Sequence, residues 1–161
     1  SGDTIQSYTD SDHHGDKTFT SRSQTGVLIL LNNIPCHWRS NRQPVTADSP
    51  ACAEIYALKE GVRDSRLFHW VASEMGVQTH YPFCVQVDSA QAHSFQGSSC
   101  QKSAIRGSFD LREDWVEEVR ELGVVKTQQI PSSQNFADIF TKCLKRLEFK
   151  RLFELISGCA V

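Results

Sequence analysis

Four carboxylates stand where the chain passes from one kind of element to another, and their positions suit them to hold divalent cations. Asp10 closes a strand-like stretch in Tyr8-Thr9-Asp10-Ser11-Asp12, and Asp88 follows the apolar run Phe83-Cys84-Val85-Gln86-Val87. Glu54 falls in the opening turns of a long amphipathic segment, on the helical face shared by Ala51 and Leu58. Asp138 lies in the first turns of a late helical pattern, Asn135-Phe136-Ala137-Asp138-Ile139-Phe140-Thr141-Lys142. Taken singly, each has an ordinary explanation: aspartate ends strands as a turn former, and early-helix acids offset the macrodipole. Glu54 fits this least well, because a charge on a core-facing surface is costly without a partner. Two acids that end strands and two that begin helices packed on those strands can converge at one end of a sheet. Carboxylates bunched in this way repel one another unless cations lie among them. A set with only hard oxygen donors, and no His or Cys, favours magnesium or manganese over zinc. A pair of such ions can clamp the attacking and leaving oxygens of a phosphodiester.

The elements that must position these acids are legible as changes of period. Ile5 to Asp10 alternates as a strand, and Ser11 to Gln24 is a polar loop. Gly26 to Leu31 is aliphatic and β-branched, a buried strand, and Asn32-Asn33 is a tight-turn signal leading into a third strand, Ile34 to Ser40. Short links between these three favour an antiparallel meander. After Ser49-Pro50, an N-cap with proline at the first helical position, Ala51, Ile55, Leu58 and Val62 recur at helical spacing. The apolar face continues through Leu67, Trp70 and Val71 towards Met75, and Gly76 supplies the stop. A fourth strand is expected over Pro82 to Asp88, a short helix over Ser89 to Phe95 and a loop over Gly97 to Gly107. Leu111, Trp115, Val119 and Leu122 mark another helix closed by Gly123, followed by a fifth strand from Val124 to Ile130 that Pro131 breaks. Ser133 or Asn135 can cap a helix carrying Phe136, Ile139 and Phe140, and a last helix carries Leu147, Phe149, Leu152, Phe153 and Ile156. Three antiparallel strands, then two reached through helices, demand a mixed sheet with helical cover, an α/β layered domain.

The bulk numbers agree with one domain of 161 residues, 39% hydrophobic and 22% charged, an ordinary globular balance. The longest apolar run, Val27 to Leu31, is strand-sized, so no bilayer span is expected. Acids at Asp3, Asp10, Asp12 and Asp16 occupy the place of a signal peptide's apolar stretch, and Ser1-Gly2 is read as a remnant of tag removal. Six cysteines without a C-x-x-C pair suggest reduced thiols, and Cys36, Cys52 and Cys84 sit in apolar-patterned segments where free cysteine behaves as a small hydrophobe. A net charge of -2 argues against a purely electrostatic nucleic-acid binder. Positive charge is local, at Arg39 with Arg42 and at Lys142, Lys145, Arg146, Lys150 and Arg151.

Other chemistries find less support. His13-His14 points adjacent side chains apart and has no third ligand fixed by the sequence. The chain has no G-x-S-x-G elbow, no G-x-G-x-x-G and no phosphate-cradling G-x-x-x-x-G-K-[ST], and its cysteines lack a marked base partner. Trp38, with Arg39, Ser40, Arg42 and Gln43, could line a nucleic-acid groove; core packing of Trp38 is the equal alternative.

At this point the chain resembles the ribonuclease H domain of copia-like LTR retrotransposons over nearly its whole length. The resemblance rests on Tyr8-Thr9-Asp10-Ser11-Asp12 with Gly15-Asp16, on Trp38-Arg39-Ser40-Asn41-Arg42-Gln43-Pro44, and on Ala53-Glu54-Ile55-Tyr56-Ala57-Leu58. Val87-Asp88-Ser89 and Phe136-Ala137-Asp138-Ile139-Phe140-Thr141-Lys142 complete it, the last being the most specific block. It implies a ribonuclease H-like, retroviral-integrase-like fold: a five-stranded mixed sheet, three antiparallel strands then two parallel, flanked by helices, with an extra C-terminal helix. It also implies one ribonuclease H domain over residues 3–161 that cuts the RNA strand of RNA/DNA hybrids during reverse transcription, using two Mg2+ ions for which Mn2+ substitutes. By that resemblance Asp10 bridges both ions, Asp138 completes the ion that activates the attacking water, and Glu54 and Asp88 complete the ion at the leaving 3′ oxygen. Cleavage would leave 5′-phosphate and 3′-hydroxyl ends. The implied setting is a polyprotein with reverse transcriptase and integrase, a monomeric domain with no membrane, in the cytoplasm within virus-like particles and also in the nucleus.

Three departures from the family pattern stand out. The helix-opening block keeps one acid, Glu54; Ser89-Ala90-Gln91 replaces the usual Asn-Gln, which bears on a groove contact by Gln91; and Ile105 to Glu113 lacks the histidine common in relatives. Two alternatives use the same fold: a non-catalytic nucleic-acid-binding or structural module, and an integrase-like nuclease. Four intact acids favour the enzyme.

Overall fold

The computed structural model describes residues 3–13, 22–44, 46–94 and 110–158. The Gly15-Asp16 pair, His14 and the loop expected over Gly97 to Gly107 lie outside the described residues, as do Ser1-Gly2 and Cys100. A meander of β1 (Ile5–Asp12), β2 (Gln24–Leu31) and β3 (Ile34–Arg42) opens the chain. Its strands pair antiparallel, Ile5 opposite Leu31 and Asp12 opposite Gln24, and Gln24 again opposite Arg42. The link between β2 and β3 is a two-residue turn, with both Asn32 and Asn33 at positive φ, the backbone that matches the twist of a tight hairpin. Asn32 is doubly used, because its amide accepts from the Thr4 backbone and donates to Asp3, each at 2.9 Å.

Helix α1 (Pro50–Glu74) begins as the sequence predicts: Ser49 accepts from the Cys52 N–H at 3.2 Å, and Pro50 occupies the first turn. It returns the chain to β4 (Phe83–Val87), which pairs parallel to β1 with Ser7 beside Val85. The short α2 (Ala90–His93) and α3 (Asp110–Glu121) lead to β5 (Val125–Gln129), parallel to β4. The sheet order is β3-β2-β1-β4-β5, so β1 is the central strand and antiparallel pairing gives way to parallel pairing across it. Two short 3-10 segments, Ser132–Gln134 and Phe136–Phe140, precede α4 (Arg146–Ser157). The helix expected around Asp138 is therefore a 3-10 segment. Five residues between a buried Asn135 and the turn at Thr141 are too few to repay the nucleation of an α-helix, and i to i+3 bonds such as Thr141 N–H to the Asp138 carbonyl close it.

Both faces of the sheet are covered, so Thr25 to Leu30 are buried without alternation. On one face Leu58, Val62, Phe83, Val85, Val116 and Val119 form a core under α1 and α3. On the other, Tyr8, Leu28, Leu30, Ala137 and Ile156 pack with Phe136 and Phe140 under the second 3-10 segment and α4. Two glycines set how closely these layers approach. A Cβ at Gly61 would lie 1.9 Å from Thr9 Cγ2, so α1 meets β1 there almost backbone to side chain. A Cβ at Gly26 would lie 2.7 Å from Thr141 Cγ2 and 2.8 Å from the Ala137 carbonyl, so the 3-10 segment presses directly on β2.

Candidate metal centre

Alternation along β1 aims Thr9 at α1, through Gly61, and returns Asp10 to the side of Tyr8 and the 3-10 segment. Asp10 is 1% exposed. Glu54 approaches from the second turn of α1, and Asp88 from the residue immediately after β4, the strand paired in parallel with β1. One carboxylate oxygen from each of Asp10, Glu54 and Asp88 can be chosen so that all three lie within 4.8 Å of one another. Asp138 arrives from the opposite layer and is buried beside Asp10. Lys142 joins the two: its Nζ is 2.8 Å from Asp138 Oδ1 and 3.3 Å from both oxygens of Asp10. The Thr141 hydroxyl donates to Asp10 as well.

The electrostatics record the crowding. Burial, and then the charge of Asp138, push the Asp10 carboxyl up to about 7 in spite of the relief given by Lys142. Glu54 is pushed up to about 8, by burial first and then by Asp10. Burial also raises Asp138, against the opposing hydrogen bond and charge of Lys142. Burial works against the Lys142 charge, but Asp10 and Asp138 together outweigh it and hold the ammonium above its ordinary value. One ammonium does not neutralise this many acids. The cluster therefore holds protons at neutral pH or takes up additional cations, and an all-oxygen donor set suits hard divalent ions.

The sequence drew attention to the acids but not to what fixes them. Asn135, considered only as a cap, is fully buried and does two things: its amide nitrogen donates to the Thr9 carbonyl at 3.0 Å, and its oxygen accepts from the Ala137 N–H at 3.2 Å. It thereby staples the segment carrying Asp138 to the strand carrying Asp10. Thr141 and Lys142 stood in the most specific motif without a role; the spacing of Lys142 four residues after Asp138 was the available signal.

The residues considered for a nucleic-acid groove separate into two groups. Trp38 is 60% exposed on the edge strand β3, so it is not a core residue, and Arg42 is exposed near the end of the same strand. Arg39 points the other way and is committed to α1, 2.9 Å from Glu60 and 3.0 Å from Asp64. Gln43 is 2% exposed and donates to Thr25 Oγ1 and to the Ala53 carbonyl, which makes it a brace for the turn of α1 that bears Glu54, not a ligand contact. Ser40 donates to the Phe140 carbonyl and accepts from Gln24. Gln91 is exposed and, with Glu54, Asp88, Ser89, Gln129 and Ser132, lines an open cleft of about 370 Å³ beside the acids. His13 faces the Ala47 carbonyl at 3.3 Å, and Cys36, Cys84 and Cys143 are free thiols.

No family model matches the chain. Its sequence is 27% identical over 152 residues to the retrovirus-related Pol polyprotein from transposon TNT 1-94 of Nicotiana tabacum, a match taking in 94% of this chain and 11% of that one. The chain thus spans about a tenth of the length of that curated relative. Among solved structures it is similar to LC11-RNase H1, isolated from compost by a metagenomic approach, with a TM-score of 0.58 and 19% identity over 86% of this chain and 92% of that one. The same protein in complex with an RNA/DNA hybrid matches with a TM-score of 0.57 and 17% identity, over 86% and 94% of the two chains. The N-terminal RNase H domain of a Mycobacterium tuberculosis protein, fused to maltose binding protein, matches at 0.54 and 13%, over 94% and 96%.

Proposed function

We propose, for a chain with the ribonuclease H fold and similar to a retrotransposon Pol polyprotein, that it is an endonuclease hydrolysing the RNA strand of RNA/DNA hybrids during reverse transcription. The observation that carries this reading is the meeting of Asp10, Glu54 and Asp88, from three separate elements, within 4.8 Å beside an open cleft. The hybrid in the LC11-RNase H1 complex supports the choice of substrate. The donor set fits hard divalent cations: it contains only oxygens, and burial makes its negative charge costly without them. Asp10, Glu54, Asp88 and Asp138 would hold two Mg2+ ions, with Asp10 common to both. When bound, such ions supply an activated water for attack and stabilisation of the leaving 3′ oxygen.

The chain's own groups do the positioning. The Thr141 hydroxyl holds the Asp10 carboxylate in one orientation, and Asn135 keeps Asp138 in register with it. Glu54 is fixed by the capped first turns of α1 and by the Gln43 brace on Ala53. Ser89, Gln91, Gln129 and Ser132 offer the cleft small polar groups suited to ribose 2′-hydroxyls, through which RNA is told from DNA without reading base sequence. Trp38 and Arg42 are the groups we assign to the DNA strand. The proposed context is a polyprotein with reverse transcriptase and integrase, acting inside the cell.

A labelled RNA/DNA hybrid, beside RNA/RNA and DNA/DNA duplexes, tests the reading with Mg2+, Mn2+ and a chelator. Cleavage confined to the hybrid RNA and stopped by EDTA is expected. Asp10→Asn and Asp88→Asn should each lower the rate by about a thousandfold or more, the several kcal/mol that metal positioning supplies. Persistent activity in both variants would remove the site assignment, and cutting of DNA duplexes would favour an integrase-like nuclease instead.

A further inference from the structure

We propose that Lys142 is an exchangeable internal cation that must leave Asp10 and Asp138 before a divalent ion can load between them. This inference rests on the metal-centre reading above and deepens it. The ammonium contacts both oxygens of Asp10 at 3.3 Å and Asp138 Oδ1 at 2.8 Å, so it spends the lone pairs that a divalent ion on that pair would need. An ammonium and a metal ion on the same oxygens repel, so the two exclude each other.

The local structure permits the exchange. The Lys142 backbone is held, its N–H bonded to the Asp138 carbonyl at 3.0 Å and its own carbonyl accepting from Leu144 at 3.0 Å. The side chain, by contrast, is 34% exposed, whereas that of Asp10 is 1% exposed. It therefore enters the acids from the solvent side. Rotation about its flexible stem would return the charge to water without opening the core. The Lys142 ion pairs are with Asp10 and Asp138, whereas Glu54 and Asp88 line the open cleft, so an ion there faces less competition. The centre should then load unequally, first at Glu54 and Asp88 and later at Asp138. A phosphate of the substrate would favour the second step by giving the displaced ammonium an anionic partner.

Mn2+ titration followed by calorimetry and by the spin signal of the free ion tests this on the whole chain, with no substrate present. The wild type should show one stronger and one weaker event. Lys142→Met should tighten the weaker event about tenfold, by removing one competing charge in a partly screened site. The same variant should unfold at lower temperature when cations are chelated. Lys142→Arg keeps the charge and should stay near the wild type in both measurements. Lys142→Gln, which keeps a hydrogen-bond donor, gives the charge effect with less disturbance if the methionine variant folds poorly. Equal or weaker Mn2+ binding in both uncharged variants would overturn the proposal. Asp10→Asn separates the two ideas: if it leaves Mn2+ binding unchanged, the metal-centre reading itself fails.

Discussion

Single residues at the site were legible wherever their chemistry conflicted with their place. Glu54 on a core-facing helical surface was conspicuous from the sequence, because a charge there is costly without a partner, whereas Asp88 after an apolar strand passed singly for a turn former and drew notice only together with the other acids. Asn135 was not conspicuous, since its partner is the carbonyl of Thr9, a contact that no local pattern encodes. The same holds for His69, which is 3% exposed on α1 with neither ring nitrogen hydrogen-bonded. Its ring stacks on Phe83 at 4.6 Å, and burial lowers its pKa from 6.5 to about 4. The folded state therefore keeps His69 neutral while the unfolded chain binds a proton, so stability from this residue is complete above about 6.5 and is lost as pH falls towards 4. His69→Phe should remove that loss and, by replacing an unpaired buried polar group with an apolar one of similar shape, raise stability by about 1 kcal/mol. Urea unfolding at pH 7 and pH 5 measures both effects, and a destabilised variant at both pH values would contradict the account.

Among the elements, the strands and long helices followed from periodicity, and the departures came where tertiary contact took over. β1 and β3 run two residues further than their alternation suggested, to Asp12 and Arg42, because the meander register continues through them. The segment bearing Asp138 had the apolar spacing of a helix and became 3-10, compressed between Asn135 and Thr141 and pressed onto Gly26. Neither Gly26 nor Gly61 has a positive φ, so nothing in turn chemistry marked them; their reason is the approach of a neighbouring layer. Gly61→Ala should force α1 away from β1 and cost about 1 to 3 kcal/mol, as overpacking does. Because α1 also carries Glu54, hybrid cleavage should fall by more than the folded fraction explains. Chemical denaturation and a rate normalised to folded protein check this, and full activity in a folded variant would show that the contact does not set Glu54.

For the whole molecule, a mixed sheet with helical cover was inferable from the succession of elements, whereas the strand order and the approach of the acids to one another came into view only with the crossing point at β1. That approach bears on stability as well as on the proposed chemistry. The folded state holds Asp10 protonated up to about 7 and Glu54 up to about 8, while the unfolded chain releases both near 4. Their contribution is thus full at low pH and is lost as pH rises through 7 and 8. Two such carboxylates outweigh the single opposing His69, so the melting temperature in a chelator should fall between pH 5 and pH 8. Millimolar Mg2+ should restore it, more at pH 8 than at pH 6, because binding must displace fewer protons there. Thermal melts across pH with and without Mg2+ decide it; a cation-independent, flat profile would count against a strained carboxylate cluster. The buried bond from Asn135 to Thr9 carries a last implication, since it joins positions 126 residues apart. A ribosome delivers the first of them long before the second, and the anchoring of Asp138 waits for that late arrival. A nascent chain halted before Asn135 would hold all five strands but not the segment that sets Asp138 beside Asp10, so the proposed metal centre stays incomplete until translation has passed this point.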